Sequence, residues 1–324
     1  MINAGLAGKR VTVAGASGFI GTNLVSALVR AGATVRGVVH QNPPQENIVG
    51  VSYIRADLTS KQEASQALQE TDIFIMAAAN SSGAAVMENR PLSHLTPNVI
   101  MNAVTLEAAY ENGVKKYCFI SSNTVYPDLE KPMKESDVTG EFFHKYQVVG
   151  EMKVFSEKMA RLYSTFVQPP MDTLVVRPGN LYGPFDKFSV EESKVIPALI
   201  RRAAGAEIPF LVWGDGSDVK DFLYISDFVD GLLLALQIDQ RELTINLASG
   251  TSVPLTTIIR KILDISGQNE VVPVYDTSKP TMISARNIEI ESARNLLGWE
   301  PQWGLSDGLA ATYQWYVEQK QNER

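Results

Sequence analysis

The chain has 324 residues, a length that suggests about two domains, and its 45% apolar content can fill a core. With 29 Lys and Arg against 36 Asp and Glu, the net charge is −7, which argues against sequence-independent nucleic-acid binding, while the single cysteine excludes a disulfide framework. The N-terminus has no apolar core of secretory length, and the longest apolar runs, 73–79 and 232–236, fall far short of a membrane span, so a cytoplasmic setting with no membrane partner is expected.

The first element is Val11-Thr12-Val13-Ala14-Gly15-Ala16-Ser17-Gly18-Phe19-Ile20-Gly21, a β-branched run, a glycine-rich turn and the start of a helix whose apolar positions are Leu24, Val25, Leu28 and Val29. Gly15 lets the chain turn, Gly18 removes a side chain that would block a pyrophosphate, and Gly21 lets the helix approach the sheet closely. The free N–H groups of the helix then face the anion, which predicts a dinucleotide site near residue 15. An NAD site usually carries Asp or Glu about twenty residues past the glycines. Val39 and His40 stand there instead, which favours NADP over NAD and puts His40 near the ribose 2′ position.

Further apolar runs at 35–39, 51–54, 73–77, 117–120 and 174–176 alternate with helical patterns, one beginning after Pro97 and ending at Gly113. This alternation predicts an α/β fold, a Rossmann-type doubly wound parallel sheet with ligands at the carboxyl ends of its strands. In the next helix Met152, Phe155, Met159, Leu162 and Phe166 are spaced three and four apart and are expected to face the core, leaving Lys153 and Glu157 on a polar face. From about residue 178 Pro, Gly and aromatic residues become frequent. The expected organisation is a dinucleotide-binding domain over 1–178, to which 221–250 returns, and a smaller mixed α/β substrate lobe over 179–324. Within that lobe 195–204 reads as a helix, 209–213 as a strand, 221–225 as the lead into a helix ending at 236, and the chain closes with a helix through Trp315.

Several stretches resemble the extended short-chain dehydrogenases/reductases, the NAD-dependent epimerase/dehydratase family acting on nucleotide sugars. They are 15–21, Ala56-Asp57-Leu58, Ala77-Ala78-Ala79, Asn98, Ser121-Ser122-Asn123-Thr124-Val125-Tyr126, 177–184, Gly214-Asp215-Gly216 with Asp221-Phe222, and Leu297-Gly298-Trp299-Glu300-Pro301. Together they cover nearly the whole chain, and 121–127, 180–184, 195–199 and 212–214 bring it nearest to the family's GDP-fucose synthases. The resemblance implies a nucleotide-sugar substrate and an NADP or NAD cofactor held by Gly15, Ser17, Gly18, Phe19, Ile20, Gly21, His40, Asp57, Leu58, Ala77, Ala78, Lys153 and Pro178, with no metal. It makes Ser122 the hydroxyl that binds the sugar C4 oxygen and Lys153 the group on the nicotinamide ribose. Asn180 would bind the diphosphate, with Thr124, Val195, Trp213, Lys220 and Arg286 as further substrate residues. It also implies a homodimer formed through the helix that contains 152–166.

Three departures narrow the chemistry. The family's catalytic tyrosine stands four residues before the lysine, where this chain has Val149; Tyr146, seven residues before Lys153, is about 10 Å away along a regular helix. Tyr146 is therefore either a surface residue at the mouth of the site or a displaced acid/base. The cysteine and histidine used for epimerisation at C3 and C5 are Thr124 and Phe185, and the acidic pair of the 4,6-dehydratases is Asn123 and Thr124. Hydride transfer at C4 is what remains. The competing readings are a non-catalytic NAD(P)-binding sensor that kept the fold, and a reductase of small carbonyls.

Overall fold

The computed structural model describes residues 5–80, 91–279 and 285–322. Its strands are β1 (Arg10–Ala14), β2 (Thr34–Val39), β3 (Val51–Arg55), β4 (Ile73–Met76), β5 (Lys116–Ile120), β6 (Asp172–Pro178), β7 (Asn180–Tyr182), β8 (Leu211–Trp213), β9 (Val219–Tyr224), β10 (Glu242–Leu247), β11 (Ser252–Pro254), β12 (Val274–Asp276) and β13 (Ala285–Arg286). Seven of them form a parallel sheet in the order β10-β6-β5-β4-β1-β2-β3, so the strand order reverses between β1 and β4. In doubly wound sheets a crevice opens at that reversal, outside the carboxyl ends of the strands. Helices Phe19–Arg30 and Ile225–Leu236 cover one face; Lys61–Ala67, Thr96–Glu111 and Gln147–Thr165 cover the other.

After β6 the chain leaves this sheet at Gly179 and builds a second one, in which β9 lies between β11 and β13 and also pairs with β7; β8 and β12 form a separate parallel pair. It then returns, β10 pairing with β6 along its full length. The last helix, Leu305–Asn322, continues past Trp315. Among the described residues no helix is long and apolar enough to cross a membrane.

Helix Gln147–Thr165 corrects the expected core stripe. Met152 is buried, but Phe155 is 49%, Leu162 50% and Phe166 80% exposed. The buried face is Gly150, Met152, Val154, Ser156, Ala160 and Ser164. Small side chains let this helix lie close to helix Thr96–Glu111, where Asn102 Nδ2 donates to Ser156 Oγ at 2.9 Å. Bulkier Phe and Leu are turned outward by that close approach. The supposed polar face is corrected too, because Lys153 and Glu157 both reach inward to buried partners.

Gly21 is the glycine this arrangement needs most, since a Cβ there would lie 2.0 Å from the Gly15 carbonyl oxygen. Gly21→Ala is expected to cost roughly 1–3 kcal/mol, as overpacking of a tight site does, and to abolish dinucleotide binding. Thermal unfolding and cofactor titration of the variant check both.

Candidate active site

At the end of β1, Gly15 adopts φ +74°, and the N–H groups of Gly15 and Ala16 both donate to the Val38 carbonyl at 3.0 Å. This pins the turn to the tip of β2, while Ala77 and Ala78 at the tip of β4 close against Gly15 from the other side. Gly18 provides no side-chain cap to helix Phe19–Arg30, and its first turn holds no acidic residue. The leading N–H groups are therefore left for an anion from outside.

His40 follows β2, and Asp57 and Leu58 follow β3. Asp57 Oδ1 accepts from Thr59 N at 2.9 Å and from Thr59 Oγ1 at 2.7 Å, and these bonds hold its pKa below the usual carboxylate value, with His40 contributing from nearby. Arg36 donates to the Ala67 and Gln69 carbonyls, so its guanidinium is committed away from the end of β2. Asn98, which sequence similarity singled out, is buried and accepts the Asn80 N–H at 2.8 Å, fixing the chain beyond β4.

Lys153 bonds to the tip of β5, and Ser122 follows that tip in the chain. Lys153 Nζ donates to the carbonyl of Ile120, the last residue of that strand, at 2.8 Å and lies 4.7 Å from the Phe119 ring centroid. Burial disfavours the ammonium and lowers its pKa to about 8, against a smaller opposing pull from Glu157. Two residues beyond Ile120, Ser122 Oγ caps a short 3-10 turn, Asn123–Val125. A Cβ at Gly150 would lie 2.3 Å from the Phe142 ring and 2.9 Å from the Thr124 carbonyl, so the residue after Val149 sits directly beneath this turn.

Behind the pair lies a buried polar network that motif reading left unassigned. Arg177 on β6 makes a two-pronged contact with Glu157, Nε to Oε1 at 3.0 Å and Nη2 to Oε2 at 2.7 Å. Burial works against the Arg177 charge, but the Glu157 hydrogen bonds outweigh it and hold the guanidinium firmly protonated. Glu157 also accepts from Ser121 Oγ, and Arg177 donates onward to the Tyr126 hydroxyl at 3.2 Å and the Glu135 carbonyl at 2.8 Å. Tyr126 donates to Asn246 on β10, and Glu135 accepts from Ser292 Oγ at 3.0 Å. The available sequence signal was an acid one helical turn after Lys153 and an arginine at an inward-facing strand position.

The substrate candidates divide into two groups. Asn180 Nδ2 donates to the Asp221 carbonyl at 2.8 Å, and Asp221 is itself buried, its carboxylate accepting from Ser249 and Gly250 N–H; burial raises its pKa to about 6. Lys220 is paired in register with Arg286 and bonds Asp218 at 2.7 Å. Arg286, only 2% exposed, donates through Nη1 to the Tyr126 and Pro127 carbonyls, while its Nε and Nη2 are buried with no hydrogen-bond partner among the described residues. Burial lowers its pKa, and its guanidinium stands 5.6 Å from the Tyr146 ring. Tyr146 ends the 3-10 turn His144–Tyr146, just before helix Gln147–Thr165 begins. Val195 opens helix Val195–Ala204, and Trp213 closes β8 with its side chain 38% exposed.

Two amides tie residues 184–185, beyond β7, to the glycine-rich turn, a contact no motif announced. Asn23 Nδ2 bridges the Phe19 and Pro184 carbonyls at 2.9 and 3.0 Å, and Gln45 Nε2 bridges those of Ser17 and Phe185 at 3.2 and 3.0 Å. Phe185 packs on Trp315 with ring centroids 5.1 Å apart.

A profile of the NAD dependent epimerase/dehydratase family matches residues 11–248. GDP-L-fucose synthase of Sinorhizobium fredii (strain NBRC 101917 / NGR234) is 30% identical over 320 residues, covering 96% of each chain. UDP-glucose 4-epimerase of Thermotoga maritima, solved with UDP-glucose, aligns with a TM-score of 0.86 at 23% identity over 96% of this chain and 99% of that one. UDP-glucuronic acid 4-epimerase of Bacillus cereus, solved with UDP-glucuronic acid and NAD, aligns with a TM-score of 0.84 at 25% identity over 96% of this chain and all (100%) of that one.

Removing one partner of a buried ion pair leaves an uncompensated charge, whereas replacing both with apolar residues is often close to neutral. Glu157→Leu alone is therefore expected to lose about 3–5 kcal/mol, and the Glu157→Leu, Arg177→Met double variant substantially less. Urea unfolding of the two single variants and the double variant checks this.

Proposed function

The chain belongs to the NAD dependent epimerase/dehydratase family, and on that premise we propose that it is an NAD(P)-dependent oxidoreductase acting at C4 of a nucleotide-linked sugar, with GDP as the nucleotide. The observation that carries the reading is the convergence of Lys153 and Ser122 on one strand tip, with the Lys153 ammonium on the Ile120 carbonyl. The full-length similarity to a GDP-L-fucose synthase supports the nucleotide. The bound nicotinamide supplies or accepts the hydride.

The residues of the chain do the rest. The N-terminus of helix Phe19–Arg30 would hold the cofactor pyrophosphate, Ala77, Ala78 and Pro178 would line the bed of the cofactor, and Asp57 and Leu58 would flank its adenine. Lys153 holds the nicotinamide ribose, and its charge stabilises the alkoxide that develops at C4. Ser122 binds the C4 oxygen. The unpartnered Nε and Nη2 of Arg286 suit a diphosphate, because a buried guanidinium edge without an acceptor is costly until an anion completes it. Asn180 and Lys220 border the same end, Tyr146 approaches it from beneath Arg286, and Val195 and Trp213 serve the nucleoside. Thr124 and Phe185 carry neither the thiol nor the imidazole of the family's epimerisation pair, so epimerisation at C3 and C5 is not part of the proposed reaction.

The second nucleotide preference follows the end of β2, where His40 stands in place of a carboxylate that would repel a 2′-phosphate; NADP is the proposed cofactor. The exposed Phe155, Leu162 and Phe166 form the proposed contact with a second copy of the chain.

Incubation with NAD(P)H or NAD(P) and GDP-, dTDP- and UDP-linked sugars or 4-keto sugars tests the function, and hydride transfer to none of them would overturn it. Below pH about 8 Lys153 is cationic, and as pH rises through that value its stabilising charge is lost. Reduction is therefore expected to slow above pH about 8, and Lys153→Met to lower the rate on the order of 10²-fold and remove that limb of the pH–rate profile. His40→Asp is expected to shift preference toward NAD by about tenfold or more, read from kcat/KM with each cofactor.

A further inference from the structure

A serine hydroxyl has one proton to give and two lone pairs to receive with. Ser122 Oγ accepts from Thr124 N at 3.1 Å and from Thr124 Oγ1 at 3.0 Å, so one residue fills both acceptor sites. Among the described residues no protein acceptor takes the Ser122 proton, and this half-buried residue lies two positions beyond Ile120, the strand end to which Lys153 bonds. The turn that holds Thr124 is rigid, with Val125 and Tyr126 fully buried and the Thr124 carbonyl seated on Gly150. On the lysine-bearing helix, Val149 and Gly150 carry no proton, and Lys153 spends one of its donors on the Ile120 carbonyl.

We propose that Thr124 is a positioning residue that turns the Ser122 proton into the cleft and replaces it during turnover, making the two hydroxyls a proton relay in place of a phenol. The inference rests on the C4 oxidoreductase reading and adds to it the source of the proton. In the reducing direction the hydride adds to the ketone carbon, the carbonyl π pair moves to oxygen, and that oxygen takes the Ser122 proton. Ser122 Oγ takes the proton of Thr124 Oγ1, and Thr124 takes one from cleft water. The ketone gains two electrons from the reduced cofactor and one proton from solvent; oxidation reverses each step.

Thr124→Val keeps the side-chain shape and the backbone N–H but removes the donated proton. It is expected to lower kcat on the order of 10²-fold, with KM and the cofactor Kd unchanged within about threefold, and Thr124→Ser to restore most of the rate. In mixtures of light and heavy water the wild type is expected to show a curved dependence of rate on deuterium fraction, from two protons in flight, and the valine variant a linear one. Cofactor binding by each variant reports that it is folded. Wild-type activity with an unimpaired Thr124→Val, or with Thr124→Ser as impaired as Thr124→Val, overturns the relay alone. A folded, cofactor-binding wild type that transfers hydride to no nucleotide sugar overturns the C4 reading and the relay with it.

Discussion

The buried ion pair between Glu157 and Arg177 is the contact on which the arrangement of the site depends. It joins the helix that carries Lys153 to β6, and through Ser121 it also grips the tip of β5. Two charges taken out of water are tolerable only when the geometry is two-pronged and the remaining donors are satisfied, and Arg177 meets that condition with Tyr126 and the Glu135 carbonyl. Lys153 sits one helical turn before Glu157, so its reach toward the Ile120 carbonyl is fixed by the same clamp. The network continues through Tyr126 to Asn246 and through Glu135 to Ser292, which ties the segment after β5 to the return strand β10 and to helix Glu291–Leu297.

The dinucleotide turn is held by a different logic. Its own backbone is fixed by Val38 and by the wall of Ala77 and Ala78, and its second-lobe neighbour is fixed by Asn23 and Gln45. Both amides bridge two carbonyls, one on each side of the boundary. The segment that follows Asn180 is therefore attached to the glycine-rich turn before helix Phe19–Arg30.

On the proposed alignment, which sets Val149 at the position of the family's tyrosine, the departure has a bounded effect. The lysine, the serine and the buried ion pair behind them are all in place, and Arg286 offers an uncompleted guanidinium edge on the other side. On that proposal a single proton donor is lost, and the hydrogen bonds around Ser122 leave that serine's proton uncommitted to any described protein acceptor.

The doubly wound sheet and its dinucleotide turn were legible from the sequence because both rest on local rules: strand and helix periods, and three glycines whose spacing a strand–turn–helix junction requires. The order of Ser122 and Lys153 along the chain was legible as a motif. The outward turn of Phe155, Leu162 and Phe166 was not, because hydrophobic spacing cannot tell a core face from a face left for something else. Nor was the inward course of Glu157, since an acid on a helix reads as solvated until an arginine from a strand twenty residues away is folded against it. Sequence by itself determined which residues could form the turn, the strands and the catalytic pair; the tertiary structure alone decided which charges are buried together, because that depends on contacts between segments whose separation along the chain carries no information about their distance in space.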